Sequence, residues 1–146
     1  MSYEIVGLRS WLMCAAGAFA AYFALATWLD LSFVNPAPTG RLVVKLLPPF
    51  APVGGHAFIA APIPGDAETL SRLGDDPTVS DDRRSPVVLF EDKQPLGPAH
   101  CNFREISQHG LGHYAHWRDQ GIMFSTSDNS DPNENRRSYW AVVRSD

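Results

Sequence analysis

A run of twenty uncharged, mostly apolar residues, Ser10–Leu29, lies near the start of the chain between Arg9 and Asp30. An α-helix rises about 1.5 Å per residue, so a helix of this length spans the roughly 30 Å hydrocarbon layer of a bilayer. Trp11 and Trp28 stand near its two ends, where indole rings favour the headgroup region. The pattern predicts a transmembrane helix that anchors the chain in the lipid bilayer.

A secretory signal peptide is the alternative interpretation of the same stretch. Ala24-Leu25-Ala26 resembles the small-residue motif at which signal peptides are cleaved. The flank before the apolar run, however, carries Glu4 and a single basic side chain, Arg9, and the run continues past the motif. These features favour an uncleaved helix.

Small residues are concentrated in the middle of the predicted helix. Residues four apart share a helical face, and a stripe of small side chains allows a second helix to approach closely in lipid. The members of this small-residue stripe are Ala16, Gly17, Ala20, Ala21 and Ala24. We interpret the stripe as a packing face for the transmembrane helices of a larger complex. The alternative is that alanine merely fills a solitary anchor.

The rest of the chain alternates short β-branched and apolar runs with turns rich in proline and glycine. The predicted strands are Arg41–Leu47, His56–Ala61, Pro86–Glu91, Gly112–Arg118, Ile122–Ser125 and Ser138–Arg144. Short strands spaced by turns predict a small, mainly-β extramembrane domain, an antiparallel sandwich or half-barrel with one short helix.

The composition along the chain predicts its organisation. Residues 1–34 form the N-terminal flank and transmembrane helix, 35–40 a proline-rich linker and 41–146 the β domain. Within that domain, residues 66–85 are polar and acidic. The sequence allows a helical turn near Ala67–Leu73, and the rest of the segment is expected to form a mobile, solvated loop.

The one predicted helix of the β domain has signals at both ends. Asn102 and Glu105 have the spacing of a capping box, in which each side chain accepts a hydrogen bond from the other residue's backbone amide. Gly110 supplies a left-handed terminator. The spacing predicts a helix over Phe103–His109.

Charge and cysteine content exclude several classes of function. The formal net charge is −4 and no basic run is present, which argues against a nucleic-acid partner. Cys14 falls in the predicted helix and Cys101 in the β domain, so neither a disulfide framework nor a thiolate metal cluster is expected.

Two clusters of possible metal ligands have simpler explanations. Four histidines fall between positions 100 and 116, but Gly110 and Gly112 interrupt the helix that would align them for zinc. The oxygen-rich run 125–135 contains residue types that bind calcium, and Asx turns select the same types. We expect an ordered turn-rich loop over Ser127–Arg137, with calcium as the alternative, and predict no metal and no cofactor.

No catalytic residue is predicted. The chain has no Gly-x-Ser-x-Gly elbow and no glycine-rich phosphate loop that leads into a helix. Although serine, histidine and aspartate are all present, nothing in their spacing indicates a catalytic arrangement. The interpretation is therefore a protein that is not an enzyme.

Aromatic and acidic side chains of the second half form the predicted contact surface. Aromatic rings bordered by Asp, Asn and His suit a glycan or a protein partner, although a small β domain also needs such rings in its core. We expect the loop Ser127–Arg137 to lie beside Trp117 and Trp140 and to touch the partner. The predicted contact residues are Tyr114, His116, Trp117, Asp128, Asn129, Asp131 and Trp140.

Several motifs follow one another in a characteristic order across about residues 85–143. They are Val87–Asp92, Pro95–His100, Arg104–Ile106, Gly110–Trp117 and Phe124–Pro132. This order resembles a poorly characterised β-rich domain at the C-termini of bacterial envelope proteins, some of them linked to polysaccharide assembly. The pattern includes a second His or Asp near Phe103 and a Gly near Asn135, which this chain lacks. The resemblance implies an envelope location and carries no catalytic role.

Together these patterns predict a bacterial inner-membrane protein with a cytoplasmic N-terminus and a periplasmic β domain. Basic residues flank the helix on both sides and do not decide its orientation, but a short N-terminal flank is the simpler end to retain. The predicted function is a non-catalytic accessory subunit whose β domain braces or caps a larger membrane complex. The alternative is a membrane-tethered module that binds glycans during envelope polysaccharide assembly.

Overall fold

The computed structural model describes residues 2–32, 37–60 and 67–145. The chain divides into two compact units, Met1–Asn35 and Pro36–Asp146. Parts of several predictions lie outside the described residues: Met1 and residues 33–36 of the flank, helix and linker, Ala61 at the end of a predicted strand, Asp66 of the acidic loop, and residues 62–65 and Asp146 of the β domain.

The first unit contains one helix, α1 (Ser2–Ser32), 31 residues long. At 1.5 Å per residue it measures about 46 Å. Its stretch Met13–Ser32 is long and apolar enough to cross a membrane by length and composition, a criterion that a signal sequence also meets. This stretch begins three residues after the predicted Ser10–Leu29 and overlaps most of it.

The second unit is built from two four-stranded antiparallel sheets, named here the first and the second sheet. The first sheet has the order β1-β8-β4-β5, with β1 Leu42–Leu46, β8 Tyr139–Val143, β4 Val87–Glu91 and β5 Gln94–Pro95. The second sheet has the order β2-β3-β7-β6, with β2 Ala51–Gly54, β3 Ala57–Ala60, β7 Gly121–Phe124 and β6 Tyr114–Trp117. Two short helices, α2 (Ala67–Leu73) and α3 (Phe103–Gln108), complete the described part of the unit.

This architecture confirms the coarse prediction of an N-terminal apolar helix followed by a mainly antiparallel β domain. The domain has two sheets, and it has two short helices where one was predicted.

The main core lies between the inner faces of the two sheets. Alternate residues of each strand point inward, as the period of two requires. Buried members from both sheets include Val44, Leu46, Val87, Leu89, Ala141, Ala60, Ile122 and Phe124. The rings of Phe50, Phe124 and Tyr139 pack together, with centroid separations of 5.3, 5.5 and 5.0 Å. Burial of these apolar side chains holds the two sheets together.

A smaller core lies on the outer face of the second sheet, where α3 covers it. Ile106 of α3 is fully buried against Ala57, Ala115 and Met123. The predicted capping box is confirmed: Glu105 N donates to Asn102 Oδ1 at 2.9 Å, and Asn102 N donates to the Glu105 carboxylate at 2.9 Å. The helix ends at Gln108, one residue earlier than predicted, and Gly110 follows at φ +65°.

Two strands were not predicted, because both contain a proline. β2 includes Pro52 and β5 includes Pro95, residues that cannot donate a backbone hydrogen bond to a neighbouring strand. Each strand lies at the edge of its sheet, the position where a proline is tolerated.

The acidic segment 66–85 forms a helix where the sequence allowed a helical turn, and it differs from the predicted solvated loop at Asp75 and Ser85. α2 occupies Ala67–Leu73, and Asp75 and Ser85 are buried. Asp75 N donates to His116 O at 2.8 Å, and Arg118 N donates to Asp75 O at 2.9 Å. The composition of the segment could not reveal these bonds, since their partners lie about forty residues away on β6 and just after it.

We expect Asn102→Ala to lower the free energy of unfolding by about 1 kcal/mol, because Glu105 N loses its acceptor at the first turn of α3. Chemical denaturation of the full chain in neutral detergent, followed by near-ultraviolet circular dichroism, measures the change. Asn102→Asp is the matched control and should unfold like the native chain, since Asp is an equally good cap. Equal stability of the native and alanine chains would show that the cap contributes nothing.

Candidate functional site

Two of the predicted contact residues lie in the core and cannot touch a partner. Tyr114 is 3% exposed and His116 is 2% exposed. Both side chains project from β6 toward the first sheet, and Tyr114 donates its hydroxyl hydrogen to Val87 O at 3.1 Å. The prediction for these two residues is therefore wrong, because the face of β6 that they share packs against the first sheet.

The two tryptophans lie at separate places. Trp117 pairs with Gly121 at one end of the β6–β7 hairpin, whereas the loop 127–137 follows Phe124 at the other end. Trp140 projects from the outer face of the first sheet, where the Lys45 ammonium lies 5.3 Å from its ring centroid. The predicted single surface of loop, Trp117 and Trp140 is thus not formed.

The loop Ser127–Arg137 is held by its own side chains. Asp128 Oδ1 accepts hydrogen bonds from Ser130 N and Oγ at 3.1 and 2.6 Å, and Asp131 Oδ1 accepts from Asn133 N at 2.8 Å. These are the local bonds of Asx turns. They occupy oxygens that a calcium ion would need, which favours the turn interpretation of this run.

Asn129 joins the loop to the end of α3. Its Oδ1 accepts from Leu111 N at 2.6 Å, and its Nδ2 donates to His109 O at 3.3 Å. A side chain at Gly110 would collide with Asn129, since a Cβ there would lie 2.0 Å from Oδ1. The role of Asn129 in this structure is to fix the loop.

A buried carboxylate anchors the other side of the loop. Glu91, at the end of β4, accepts from Tyr139 Oη at 2.9 Å and from the Ser127 hydroxyl, and its Oε1 lies 3.2 Å from Arg137 Nη1. Burial raises the pKa of Tyr139, and the charge of Glu91 adds to this rise, while the hydrogen bond from Asn135 opposes it. The Arg137 guanidinium, which also pairs with Asp128 at 2.5 Å, holds the pKa of Asp128 well below its usual range.

The candidate functional site is a cleft of about 490 Å³ on the other end of the domain. Its walls are the acidic segment after α2, the turn before α3 and the end of β6. The cleft is lined by Asp75, Asp76, Pro77, Val79, Asp81, Asp82, Arg83, His100, Cys101, Asn102, Phe103, Glu105, Trp117 and Gln120. Trp117 is the one member of the predicted contact set that it contains.

A hydrogen-bonded chain of polar side chains forms the base of the cleft. His100 Nδ1 donates to Asp75 Oδ2 at 2.6 Å, and Ser85 N donates to Asp75 Oδ1 at 2.8 Å. Ser85 Oγ in turn lies 2.8 Å from Nδ1 of His116. Burial lowers the pKa of His116 to about 4, so this imidazole is neutral at pH 7.

Two carboxylates of the acidic wall accept hydrogen bonds from backbone amides of the same segment. Asp82 Oδ2 accepts from Asp76 N at 2.7 Å and pairs with Arg84, and Asp76 Oδ1 accepts from Thr78 N and Oγ1. These bonds give the segment 76–82 a defined path despite its polarity. The cleft therefore has a defined shape, and the half-buried indole of Trp117 lies on its wall.

One thiol, that of Cys101, lines the cleft. Burial, followed by the charge of Glu105, raises the pKa of the Cys101 thiol, which donates to Pro98 O at 3.3 Å. A protonated, buried thiol is not a nucleophile. Within the described ranges 2–32, 37–60 and 67–145, no three His, Cys, Asp or Glu side chains are placed to hold a metal ion. The arrangement can hydrogen-bond a polar ligand and stack against it.

Sequence reasoning missed Asp75, Ser85 and His100, the residues that build the base of the cleft. Asp75 stands in a segment whose composition indicated solvent exposure, and His100 in an irregular proline-flanked stretch. Only their contact with β6, distant in sequence, gives them a role. No local signal could have identified them.

We expect the stability of the domain to fall by about 2–3 kcal/mol between pH 7 and pH 4.5. His116 titrates near 6.5 when unfolded and near 4 when folded, so the unfolded chain binds the extra proton as the pH falls through this window. Denaturation of the full chain in detergent at both pH values measures the loss. His116→Gln, which cannot titrate, should lose clearly less, and an identical loss would exclude His116 as the cause.

Comparison with protein-family models, with curated proteins and with solved structures finds no match for this chain. The resemblance noted for residues 85–143 therefore stays a prediction.

Proposed function

We propose that the chain is a single-pass membrane protein whose β domain is a non-catalytic accessory part of a larger membrane complex. The observation that carries this proposal is α1, an apolar helix of which the spanning stretch Met13–Ser32 has none of its side chains buried within the chain. An apolar helix left uncovered by its own protein requires lipid or other helices around it.

The exposed side chains of α1 suit lipid contact. Large apolar residues are distributed around the helix, and all are exposed: Trp11, Met13, Phe19, Tyr22, Phe23, Leu25, Trp28, Leu29 and Leu31. Polar backbone groups in a helix are satisfied internally, which is the condition for crossing a bilayer. The helix is also longer than the roughly 20 residues that a bilayer needs.

The small-residue stripe supports docking against partner helices. Ala16, Gly17, Ala20, Ala21 and Ala24 all fall within the stretch Met13–Ser32. At 100° per residue they cover one side of the helix, with Ala15 on the opposite side. Helices associate in lipid through close packing rather than through hydrophobicity, so such a side is suited to a partner helix.

The β domain supports a bracing role rather than a chemical one. Its buried polar groups, Asp75 with His100 and Glu91 with Arg137, are paired inside the domain. In this proposal the domain is exported to the periplasmic side of a bacterial inner membrane and the short N-terminal flank stays in the cytoplasm. The cleft and the ordered loop 127–137 are the surfaces offered to the complex.

A glycan-binding module is the second candidate, and one observation favours it. The cleft combines the half-buried indole of Trp117 with carboxylates and the amide of Gln120. Aromatic faces bordered by hydrogen-bonding groups are suited to the apolar face and the hydroxyls of a sugar ring.

We expect Ala20→Leu and Ala24→Leu to release the full chain from its complex while leaving it in the membrane. A larger side chain on the stripe separates the helix backbones, whereas the apolar length of α1 is unchanged. Gentle detergent extraction followed by native sizing measures the release. Ala15→Leu makes the same change on the opposite side of the helix and should leave the complex intact.

Two results would contradict the docking proposal. Co-purification of large partners with all three leucine variants alike would show that the stripe is not an interface. A native chain that migrates as a free monomer, and shifts only when polysaccharide is added, would favour the glycan-binding module instead.

We expect Ser80→Cys to react with a membrane-impermeant thiol reagent in intact cells with a permeabilised outer membrane. Ser80 lies in the exposed part of the acidic segment, so its accessibility depends on the side of the membrane. The native chain, with Cys14 and buried Cys101, gives the background. Labelling of Ser80→Cys only after lysis would place the β domain in the cytoplasm.

A further inference from the structure

A second concave surface lies at the end of the first sheet, far from the acidic cleft. It has a volume of about 240 Å³ and is formed between the end of β1 and the loop 132–138. We name it the Lys45–Arg136 cavity. Leu47, Pro48 and Phe50 form one wall, and Pro132, Asn133 and Ser138 belong to the other.

The two walls are fixed to one another before any ligand arrives. Asn133 Oδ1 accepts from Phe50 N at 2.8 Å, and Asn133 Nδ2 donates to Phe50 O at 3.0 Å. Phe50 is itself buried against Phe124 and Tyr139. A preformed cavity avoids part of the entropy cost of ordering its groups on binding.

The lining of this cavity is basic, although the chain is acidic as a whole. Lys45, Arg136 and Arg137 line it, and no Asp or Glu does. Four arginines of the domain have carboxylate partners, and of these only Arg137 lines the cavity: Arg72 with Glu68, Arg84 with Asp82, Arg118 with Asp76, and Arg137 with Glu91 and Asp128. Among the described residues, Lys45 and Arg136 have none.

Lys45 is positioned by an aromatic ring rather than by an anion. It lies opposite Trp140 in the β1–β8 register, and its ammonium is 5.3 Å from the centroid of that ring. A cation–π contact leaves ammonium donors free to bind an oxygen. The charge is therefore held at the rim of the cavity without being neutralised.

Arg136 is held at a backbone conformation that costs energy for an arginine. Its φ is +59°, in the left-handed region that Gly, Asn and Asp adopt most readily. The neighbouring bond from Arg137 N to Asn135 Oδ1, at 3.1 Å, helps to fix the turn there. A glycine would relieve the strain, whereas the arginine places a second cation on the lining of the cavity.

Arg137 forms part of the cavity wall, but its charge is already paired with carboxylates. Its guanidinium is engaged by Glu91 and Asp128, and these interactions raise its pKa further above the usual range. The donors available to a ligand come from Lys45 and Arg136, which are carried by elements 91 positions apart in sequence.

We propose that the Lys45–Arg136 cavity binds an oxyanion, a carboxylate or a phosphate, carried by a ligand about the size of one sugar ring. Charge-assisted hydrogen bonds from the two unpaired cations recognise the anion. The apolar wall of Leu47, Pro48 and Phe50 accommodates the body of the ligand. This inference does not depend on the docking of α1, and each can fail without the other.

The test is a titration of the isotope-labelled full chain in neutral detergent, followed by nuclear magnetic resonance. Glucuronate and glucose 6-phosphate are the two probes, and glucose is the neutral control. We expect saturable shifts at the amides of Lys45, Arg136 and Ser138, with dissociation constants on the order of millimolar. The ratio of the two affinities identifies the carboxylate or the phosphate as the natural group, and glucose should cause no shift there.

Matched variants locate the binding. Lys45→Ala and Arg136→Gly should each weaken binding about tenfold or more, since each removes one charged donor. Lys93→Ala and Arg41→Ala remove exposed cations outside the cavity and should change the affinity less than about twofold. Arg136→Gly should also melt at a higher temperature than the native chain, because glycine suits the positive φ.

Three outcomes would overturn the proposal. Glucose that binds as well as glucuronate would exclude recognition of the charge. Variants of Lys45 and Arg136 that behave like the Lys93 and Arg41 controls would exclude the cavity. Shifts that never saturate, or that spread over all basic residues, would show general ionic attraction only.

Discussion

Tyr139 connects the apolar core of the β domain to the polar network that shapes its longest ordered loop. Its ring packs on Phe50 and Phe124, and its hydroxyl donates to Glu91 at 2.9 Å and accepts from Asn135 Nδ2 at 2.7 Å. A buried carboxylate is tolerated only where its oxygens are paired, so Glu91 requires these partners and Arg137. Because the network uses the loop's own side chains, the loop 127–137 has a fixed path and can form a wall of the Lys45–Arg136 cavity.

Strand β4 separates two polar clusters of different character. Ser85, two residues before the strand, belongs to the group of Asp75, His100 and His116 under the acidic cleft, and Glu91 ends the strand at the opposite side of the domain. Five strand residues separate the ends by roughly 17 Å. The first cluster binds the acidic segment to β6 and lies beside an open cleft. In the second cluster, Glu91 is paired with Tyr139 and Arg137. The acidic cleft and the basic Lys45–Arg136 cavity therefore lie at opposite ends of one core.

The helix and the β domain depend on different physical requirements. None of the side chains of Met13–Ser32 is buried within the chain, and the length and composition of this stretch suit a membrane anchor or a signal sequence. The β domain satisfies its own needs, since its apolar faces meet between the sheets and α3 covers the outer face of the second sheet. The function proposed for the chain therefore depends on α1. The inferred oxyanion site lies in the β domain and does not depend on α1.

Local patterns were enough to predict α1, the capping box of Asn102 and Glu105, and most strands, because apolar period and cap spacing act between near neighbours in the chain. They could not predict β2 and β5, whose prolines are acceptable only at sheet edges, or the burial of Asp75, which requires β6. Period-two alternation places Tyr114 and His116 on one face of β6 and Trp117 on the other, but nothing in the sequence shows which face packs against the first sheet. Which face meets the other sheet, and which charges meet in a cavity, depends on contacts between distant residues, and only the tertiary structure decides those.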